Sequence, residues 1–311
     1  MTATLRIAIS GSGGLVGSAF AAALAGEGHR VVRLVRRASA QGPDEVAWDP
    51  AAGRIDAAGL EGVDAVVHLA GENIASRRWS AARKERIRTS RVEGTRLVAG
   101  AVAGLARPPR VLVNASAIGY YGDRGDELLE EGSAPGSGFL AETCVAWEAA
   151  TAPARQAGLR VVSLRIGIVL SAAGGALGRM LVPFRLGLGG RIGDGRQFMS
   201  WVALDDLVGI IRRCVLDDTL AGAINAVAPG PVRNAEFTAA LGRALRRPTP
   251  LPVPAWAVRL LFGEMGTALL LAGARVVPAR LERAGFAFRH AGLGSGLASI
   301  LGPPPTGRSP G

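Results

Sequence analysis

Apolar residues open this chain at strand spacing. Residues 5–9 read Leu-Arg-Ile-Ala-Ile, break after Ser10 into Gly11-Ser12-Gly13-Gly14-Leu15-Val16-Gly17, and re-emerge as a helical run over Ser18–Ala25. A β-branched run, His29–Val35, arrives where a strand-helix-strand unit needs its second strand. Val46–Trp48 predicts a short strand, Asp64–Leu69 a buried strand ending in Ala70-Gly71, and Ser80–Leu105 a helix. Pro108 and Pro109 close that helix before a strand at Arg110–Asn114. A polar, glycine-rich loop follows, then a helix near Leu140–Gln156 and a strand at Leu159–Leu164. Strands alternating with helices in this way predict an α/β fold, a Rossmann-type doubly wound parallel sheet covered on both faces.

The pattern changes at Gly174. Glycine-rich stretches at 174–177 and 187–193 predict loop-rich structure on the substrate side, followed by a helix at Asp205–Val215 and a strand at Ala223–Val227. Apolar spacing over Asn234–Arg246, Ala255–Phe262 and Pro278–Ala284 predicts a smaller, mainly helical lobe. The expected organisation is a dinucleotide-binding domain over 1–170 with elements returning around 200–230, a substrate-side and C-terminal helical lobe over 171–301, and a disordered Pro/Gly/Ser-rich tail at 302–311.

The glycine run carries the first candidate chemistry. Gly11 permits a tight turn, Gly14 lets backbone approach a pyrophosphate, and Gly17 lets the helix pack close to the strand. Free N–H groups at the helix start then face an anion, and Ser12, Leu15 and Val16 complete the candidate cofactor turn. No Gly-Lys-Ser/Thr follows, which excludes a nucleoside-triphosphate P-loop. About 20 residues beyond the glycines, where NAD-specific folds place an acidic residue, stands Arg33-Leu34-Val35-Arg36-Arg37. An arginine there suits the 2′-phosphate of NADP(H), and Arg36 is the candidate.

Composition narrows the partners. The 311 residues are 49% hydrophobic, enough for a large core. The formal charge of +11 invites a nucleic-acid reading, but the positive residues are scattered and Lys84 is the one lysine among 36 Lys and Arg. No basic tract interleaves with aromatics, so nucleic acid is not expected. Two isolated cysteines, Cys144 and Cys214, provide neither a disulfide framework nor a metal site. The chain opens on a strand rather than a signal sequence, and Leu251–Val277 is interrupted by Arg259, Glu264 and Arg275. A cytoplasmic protein is expected, with a small-molecule substrate, no membrane partner, and a homodimer as its form of self-assembly.

Several further motifs are specific: His68-Leu69-Ala70-Gly71-Glu72-Asn73-Ile74, Arg78-Trp79, Ser90-Arg91, Ile118-Gly119-Tyr120-Tyr121-Gly122, Trp147-Glu148, Arg165-Ile166-Gly167-Ile168-Val169-Leu170, and the run from Met180 through Trp201. With the N-terminal Gly-x-x-Gly-x-x-Gly they resemble the short-chain dehydrogenase/reductase superfamily of extended type. More narrowly, they resemble the epimerase-family proteins of the atypical 39U group, which carry a C-terminal domain of unknown function. The resemblance implies that Leu69, Ala70 and Gly71 lie along the cofactor, Arg36 by the adenosine phosphate and Val169 near the nicotinamide end. It also implies that Arg91, where most extended members have asparagine, contacts the cofactor.

The superfamily's tyrosine/lysine pair is absent: counting back from Glu148 places Leu140 and Cys144 at those positions. A phenol near pKa 10 needs a neighbouring cation to act as a base at neutral pH. Only Tyr120 and Tyr121 exist in the chain. Tyr121 is the first candidate proton donor, with Ser116 as a hydrogen-bond partner for a substrate carbonyl and Arg124 or the oxidised nicotinamide as the cation. The alternative is that both tyrosines only wall the cleft. Glu72 and Asn73 either substitute for the missing pair or anchor the following loop, and His68 packs within the sheet. Gln197, Ser200 and Trp201 are expected on the substrate side, while Asp205 and Asp206 are expected to cap the next helix and Cys144 to lie in the core. Two functions follow: an NADP(H)-dependent oxidoreductase or epimerase acting on a small carbonyl or alcohol, free or nucleotide-linked, or a catalytically degenerate NADPH-binding sensor.

Overall fold

Ile7, Ala8 and Ile9 are all fully buried, so the strand they form, β1 (Arg6–Ser10), must be covered on both sides. The computed structural model, which describes residues 4–36 and 42–302, builds an eight-stranded sheet around it. From β1 the chain enters α1 (Leu15–Gly26) and moves outward through β2 (Arg30–Val35), β3 (Glu45–Asp49) and β4 (Arg54–Ile55). It then crosses back to β5 (Ala65–His68) on the opposite flank of β1 and continues through α2 (Ala81–Ala103) to β6 (Val111–Ala117). A two-residue strand, β7 (Leu128–Leu129), precedes α3 (Phe139–Ala149), α4 (Ala152–Gln156) and β8 (Arg160–Ile166). Next come β9 (Ile168–Ser171), α5 (Gly175–Arg185), β10 (Phe198–Met199), β11 (Trp201–Ala203), α6 (Leu204–Leu216) and β12 (Gly222–Ala226). The order across the sheet is β12-β8-β6-β5-β1-β2-β3-β4, with every neighbour parallel except the β3–β4 pair.

Residue alternation along the strands sorts two cores. Ile7, Ile9, Val67 and Val113 pack with α1 and α6 through Phe20, Leu24, Leu207 and Ile211. Ala8, Val32, Val66 and Leu112 face the other way, onto Val98 and Val102 of α2 and Ala154 of α4. This is the Rossmann-type doubly wound sheet that the sequence predicts. Beyond it, α7 (Asn234–Leu245), α8 (Ala255–Gly266), α9 (Ala279–Arg283) and α10 (Leu293–Leu301) make the C-terminal region mainly helical. A third core there joins Leu177 and Leu181 of α5 to Phe237 and Leu241 of α7 and Leu297 of α10.

Four local expectations change. The stretch after Gly174 is not all loop: α5 is a full helix whose apolar face, Leu177, Leu181 and Phe184, is buried, although Gly175 and Pro183 disguise it in sequence. The helix expected over Leu140–Gln156 is two helices, parted at Ala150-Thr151 with a proline entering the first turn of α4. Neither Asp205 nor Asp206 caps α6. The Asp206 carboxylate instead accepts the backbone N–H groups of Arg289 (2.7 Å) and His290 (2.9 Å), tying the C-terminal segment to the sheet domain. Arg37 and tail residues 303–311 lie outside the described residues.

His68, at the end of β5, is fully buried, and its Nδ1 lies 2.6 Å from Ser10 Oγ at the end of β1. That hydroxyl already accepts the N–H groups of Leu69 (3.1 Å) and Ala70 (3.2 Å), so its own proton goes to Nδ1 and the ring carries hydrogen on Nε2. Trp48 meets the ring edge-on at 5.7 Å. Burial pulls the imidazole pKa from 6.5 down to about 4. Between those values the unfolded chain binds a proton that the folded chain refuses. Stability should therefore fall as pH drops through that window, by about 3 kcal/mol at its lower end. Thermal unfolding from pH 7 to 4 should show this slope flattened in His68→Asn; an unchanged slope contradicts a neutral, buried His68.

Candidate active site

The chain leaves β1 toward β2 on one side and returns to β5 on the other, so a crevice opens at the carboxyl ends of β1 and β5. Its first wall is the glycine turn. Gly11 has φ +70°, and a Cβ there would stand 2.9 Å from the Ala70 amide nitrogen. At Gly17 a Cβ would come within 2.2 Å of the Gly11 carbonyl oxygen, so helix and turn touch through bare backbone. Gly14 occupies the N-cap of α1 with no side-chain cap and no acidic residue in the first turn, which leaves amide donors free at an exposed helix start. Ser12 is buried beneath the turn, and Leu15 and Val16 are half-buried beside it. Leu15 also touches the β9–α5 connection, where a Cβ on Gly175 would lie 3.1 Å from its side chain.

The second wall is the end of β5 and the loop behind it. Leu69 and Ala70 are half-buried, Gly71 is exposed, and Arg91 of α2 lies against Gly71. Arg91 Nη1 donates to the carbonyls of Glu72 (3.0 Å) and Ile87 (3.1 Å), and its guanidinium sits 5.0 Å from the Trp147 ring centre. Arg83, one turn earlier than Ile87 on the same buried stripe, organises residues 72–76. It binds the Glu72 carboxylate, the Asn73 carbonyl and Ser76 Oγ (2.6 Å). Glu72 and Asn73 thus anchor the loop. Arg179 of α5 reaches the Ala75 carbonyl at 2.7 Å, and Lys84 pairs with Glu264 of α8 at 2.9 Å, tying this side of the crevice to later elements. Arg83 escapes sequence reading because nothing but its place on the stripe Arg83, Ile87, Arg91, Thr95 marks it as inward-facing. Arg36 is exposed one residue beyond β2, and Val169 is half-buried in β9.

The candidate proton-transfer residues lie elsewhere than expected. Tyr121 is fully buried, and its Oη lies 2.6 Å from Asn225 Oδ1 and 3.0 Å from the Glu130 carbonyl while accepting from Arg165 Nη1 at 3.0 Å. Burial pushes its phenol up to about 12, against the opposing pull of Arg165. A hydroxyl so placed holds the core together, and its proton is already shared between two buried acceptors. Ser116 donates to Glu148 Oε1 (2.7 Å), and Glu148 grips Arg165 through both oxygens at 2.8 and 2.9 Å. The cation beside the tyrosines is therefore Arg165, whereas Arg124 pairs with Glu127. Tyr120 differs from its neighbour. It is half-buried, its ring face lies 3.4 Å from the Arg165 guanidinium carbon, and its hydroxyl has no hydrogen-bond partner among the described residues.

Three expected substrate-side residues are structural. Gln197 donates to the carbonyls of Ile192 and Leu270, Ser200 to that of Ala274, and Trp201 to that of Gly230; Ser200 and Trp201 are fully buried. Leu140 and Cys144 of α3 pack on Gly119, and burial pushes the Cys144 thiol up to about 11, which leaves it an uncharged core group.

Against known proteins, residues 7–225 match the NAD dependent epimerase/dehydratase family, and residues 253–300 match a domain of unknown function, DUF1731. The chain is 50% identical over 293 residues to the epimerase family protein Mb2239 of Mycobacterium bovis, covering 94% of this chain and 96% of that one. Among solved structures, human epimerase family protein SDR39U1 (isoform 2), crystallised with NADPH, superposes with a TM-score of 0.87 at 35% identity, covering 96% of this chain and 99% of that one. A nucleoside-diphosphate sugar epimerase from Corynebacterium glutamicum superposes with a TM-score of 0.80 at 40% identity over 96% of this chain and 59% of that one.

The buried network sets a graded expectation for stability in urea. Glu148→Ala strands the Arg165 charge and should cost about 3–5 kcal/mol, whereas Tyr121→Phe removes one neutral hydroxyl and should cost about 1–3 kcal/mol. A Tyr121→Phe protein as stable as the parent would mean that this hydroxyl faces solvent.

Proposed function

The chain belongs to the NAD dependent epimerase/dehydratase family, and from that premise we propose an NADP(H)-dependent oxidoreductase or epimerase of the short-chain dehydrogenase/reductase superfamily. Its substrate is a small carbonyl or alcohol, free or nucleotide-linked. The observation that carries the reading is the bare α1 turn: the first-turn amides of Leu15 and Val16 follow an N-cap glycine with no side-chain cap and no acidic residue in front of them, beside the Leu69–Gly71 edge. Such a turn suits paired phosphates. Arg36, exposed where an acidic residue would favour a free ribose hydroxyl, supports the phosphorylated coenzyme, as does the NADPH complex of human SDR39U1.

When bound, the coenzyme supplies or accepts hydride. In this reading Leu69, Ala70 and Gly71 floor the crevice, Leu15, Val16 and Val169 give it an apolar wall that excludes water, and Arg91 presents a fixed cation beside Gly71. Residues 1–170, with the elements around 200–230, form the coenzyme half, and residues 171–301 form the substrate half. With Tyr121 and Ser116 committed to the core, Tyr120 takes the proton-donor place: its hydroxyl is unengaged, and its ring face is fixed against the Arg165 guanidinium. The second reading, a non-catalytic NADPH sensor, draws on Leu140 and Cys144 at the positions of the usual tyrosine and lysine.

Calorimetric titration should find NADPH binding roughly ten- to a hundredfold tighter than NADH, with Arg36→Ala narrowing the gap. Equal affinities in the parent protein would remove the 2′-phosphate contact. Turnover on a panel of carbonyls and sugar nucleotides, followed by reduced-nicotinamide absorbance and isomer ratios, should fall about a hundredfold or more in Tyr120→Phe with coenzyme affinity unchanged. Tight NADPH binding without turnover across the panel would favour the sensor.

A further inference from the structure

The most exposed large apolar side chains gather on two segments: Val182, Leu186 and Leu188 on α5 and its following loop, and Trp256, Leu260 and Leu261 on α8. Trp256 and Leu260 are each 67% exposed and Leu186 is 69% exposed, which leaves most of each residue's surface in water. The two segments are laced together. Val253 N donates to the Arg191 carbonyl at 2.8 Å and Gly193 N to the Val253 carbonyl at 2.9 Å. Gly190 lies so close to Leu251 that a Cβ on it would fall 1.6 Å from the Leu251 carbonyl oxygen. An apolar surface of this kind, held on rigid helices, marks an interaction site.

Charge identifies the occupant. The stretches 179–191 and 251–262 contain Arg179, Arg185, Arg191 and Arg259 and no acidic residue. A second copy docking about a two-fold axis would set these arginines against themselves. An anionic lipid surface meets both requirements at once: apolar side chains enter the acyl boundary, tryptophan sits at the headgroup level, and arginines pair with lipid phosphates. We propose that this face docks peripherally on membranes rich in anionic lipid. No helix among the described residues is long and apolar enough to cross a membrane, so the chain would lie on the bilayer, and the proposal replaces the expectation of no membrane partner.

Flotation of the full chain with phosphatidylcholine vesicles, with and without phosphatidylglycerol, tests this. The chain should float with the anionic vesicles, weakly or not at all with phosphatidylcholine alone, and progressively less as salt rises. Trp256 fluorescence should shift to the blue on binding, a change lost in Trp256→Phe. Leu260→Asp should abolish flotation without lowering the thermal midpoint, and the triple change of Arg185, Arg191 and Arg259 to Ala should weaken partitioning roughly a hundredfold. Three results overturn the proposal: no flotation of the parent chain with anionic vesicles, equal flotation of Leu260→Asp, or a parent dimer in sedimentation equilibrium that Leu260→Asp converts to monomer.

Discussion

Everything in the crevice depends on the contact between the end of β1 and the end of β5. There the Ser10 hydroxyl takes the amides of Leu69 and Ala70 and gives its proton to His68, while Gly11 approaches the Ala70 amide at a separation no side chain would tolerate. The contact fixes two backbones with one hydroxyl and one missing Cβ. The imidazole at this contact stays neutral because burial penalises its charged form. The same turn closes on itself through the Gly14 amide, which donates to the Gly11 carbonyl at 3.0 Å, and α1 starts there without a capping side chain.

A second constraint runs through β6, α3 and β8. The buried ion pair Arg165–Glu148 requires further hydrogen bonds to offset its desolvation, and Ser116 and Tyr121 supply them. Polar groups that lie near the crevice in sequence are therefore consumed inside the protein. Tyr120 is spared because residues 118–121 form a single turn of 3₁₀-helix, in which successive side chains point about a third of a turn apart. The two rings accordingly stand edge to face, 5.3 Å apart at 81°, one inside and one at the boundary.

That geometry marks the line between what the sequence discloses and what it does not. The doubly wound sheet and the glycine turn are legible because they depend on backbone periodicity and on absent Cβ atoms, which the letters state outright. The place of Arg36, exposed just past β2, is legible by its distance from the glycines. The choice between Tyr120 and Tyr121, the commitment of Ser116 to Glu148 and the withdrawal of Gln197, Ser200 and Trp201 all depend on which partners three-dimensional packing supplies. Helix α5 was hidden for a different reason: Gly175 and Pro183 lower its intrinsic propensity, and burial of Leu177, Leu181 and Phe184 overrides that deficit.

Positive charge beside the Leu69–Gly71 edge stands on α2 and not on α3. Helix α3, which in the resemblance would present tyrosine and lysine, presents Leu140 and Cys144 against Gly119, a surface that excludes water and carries no charge. The cations come instead from α2, where Arg83 and Arg91 stand two turns apart on one stripe with Ile87 between them and are held by the carbonyls of residues 72, 73 and 87. The carboxylate nearest to them, Glu72, is paired with Arg83. That pairing consumes Arg83, so the guanidinium left beside Gly71 is that of Arg91, held by two carbonyls rather than by a carboxylate. The interior hydroxyls of Ser116 and Tyr121 already serve the Arg165–Glu148 pair, so of the two tyrosines only Tyr120, at the boundary of that network, keeps its hydroxyl unengaged.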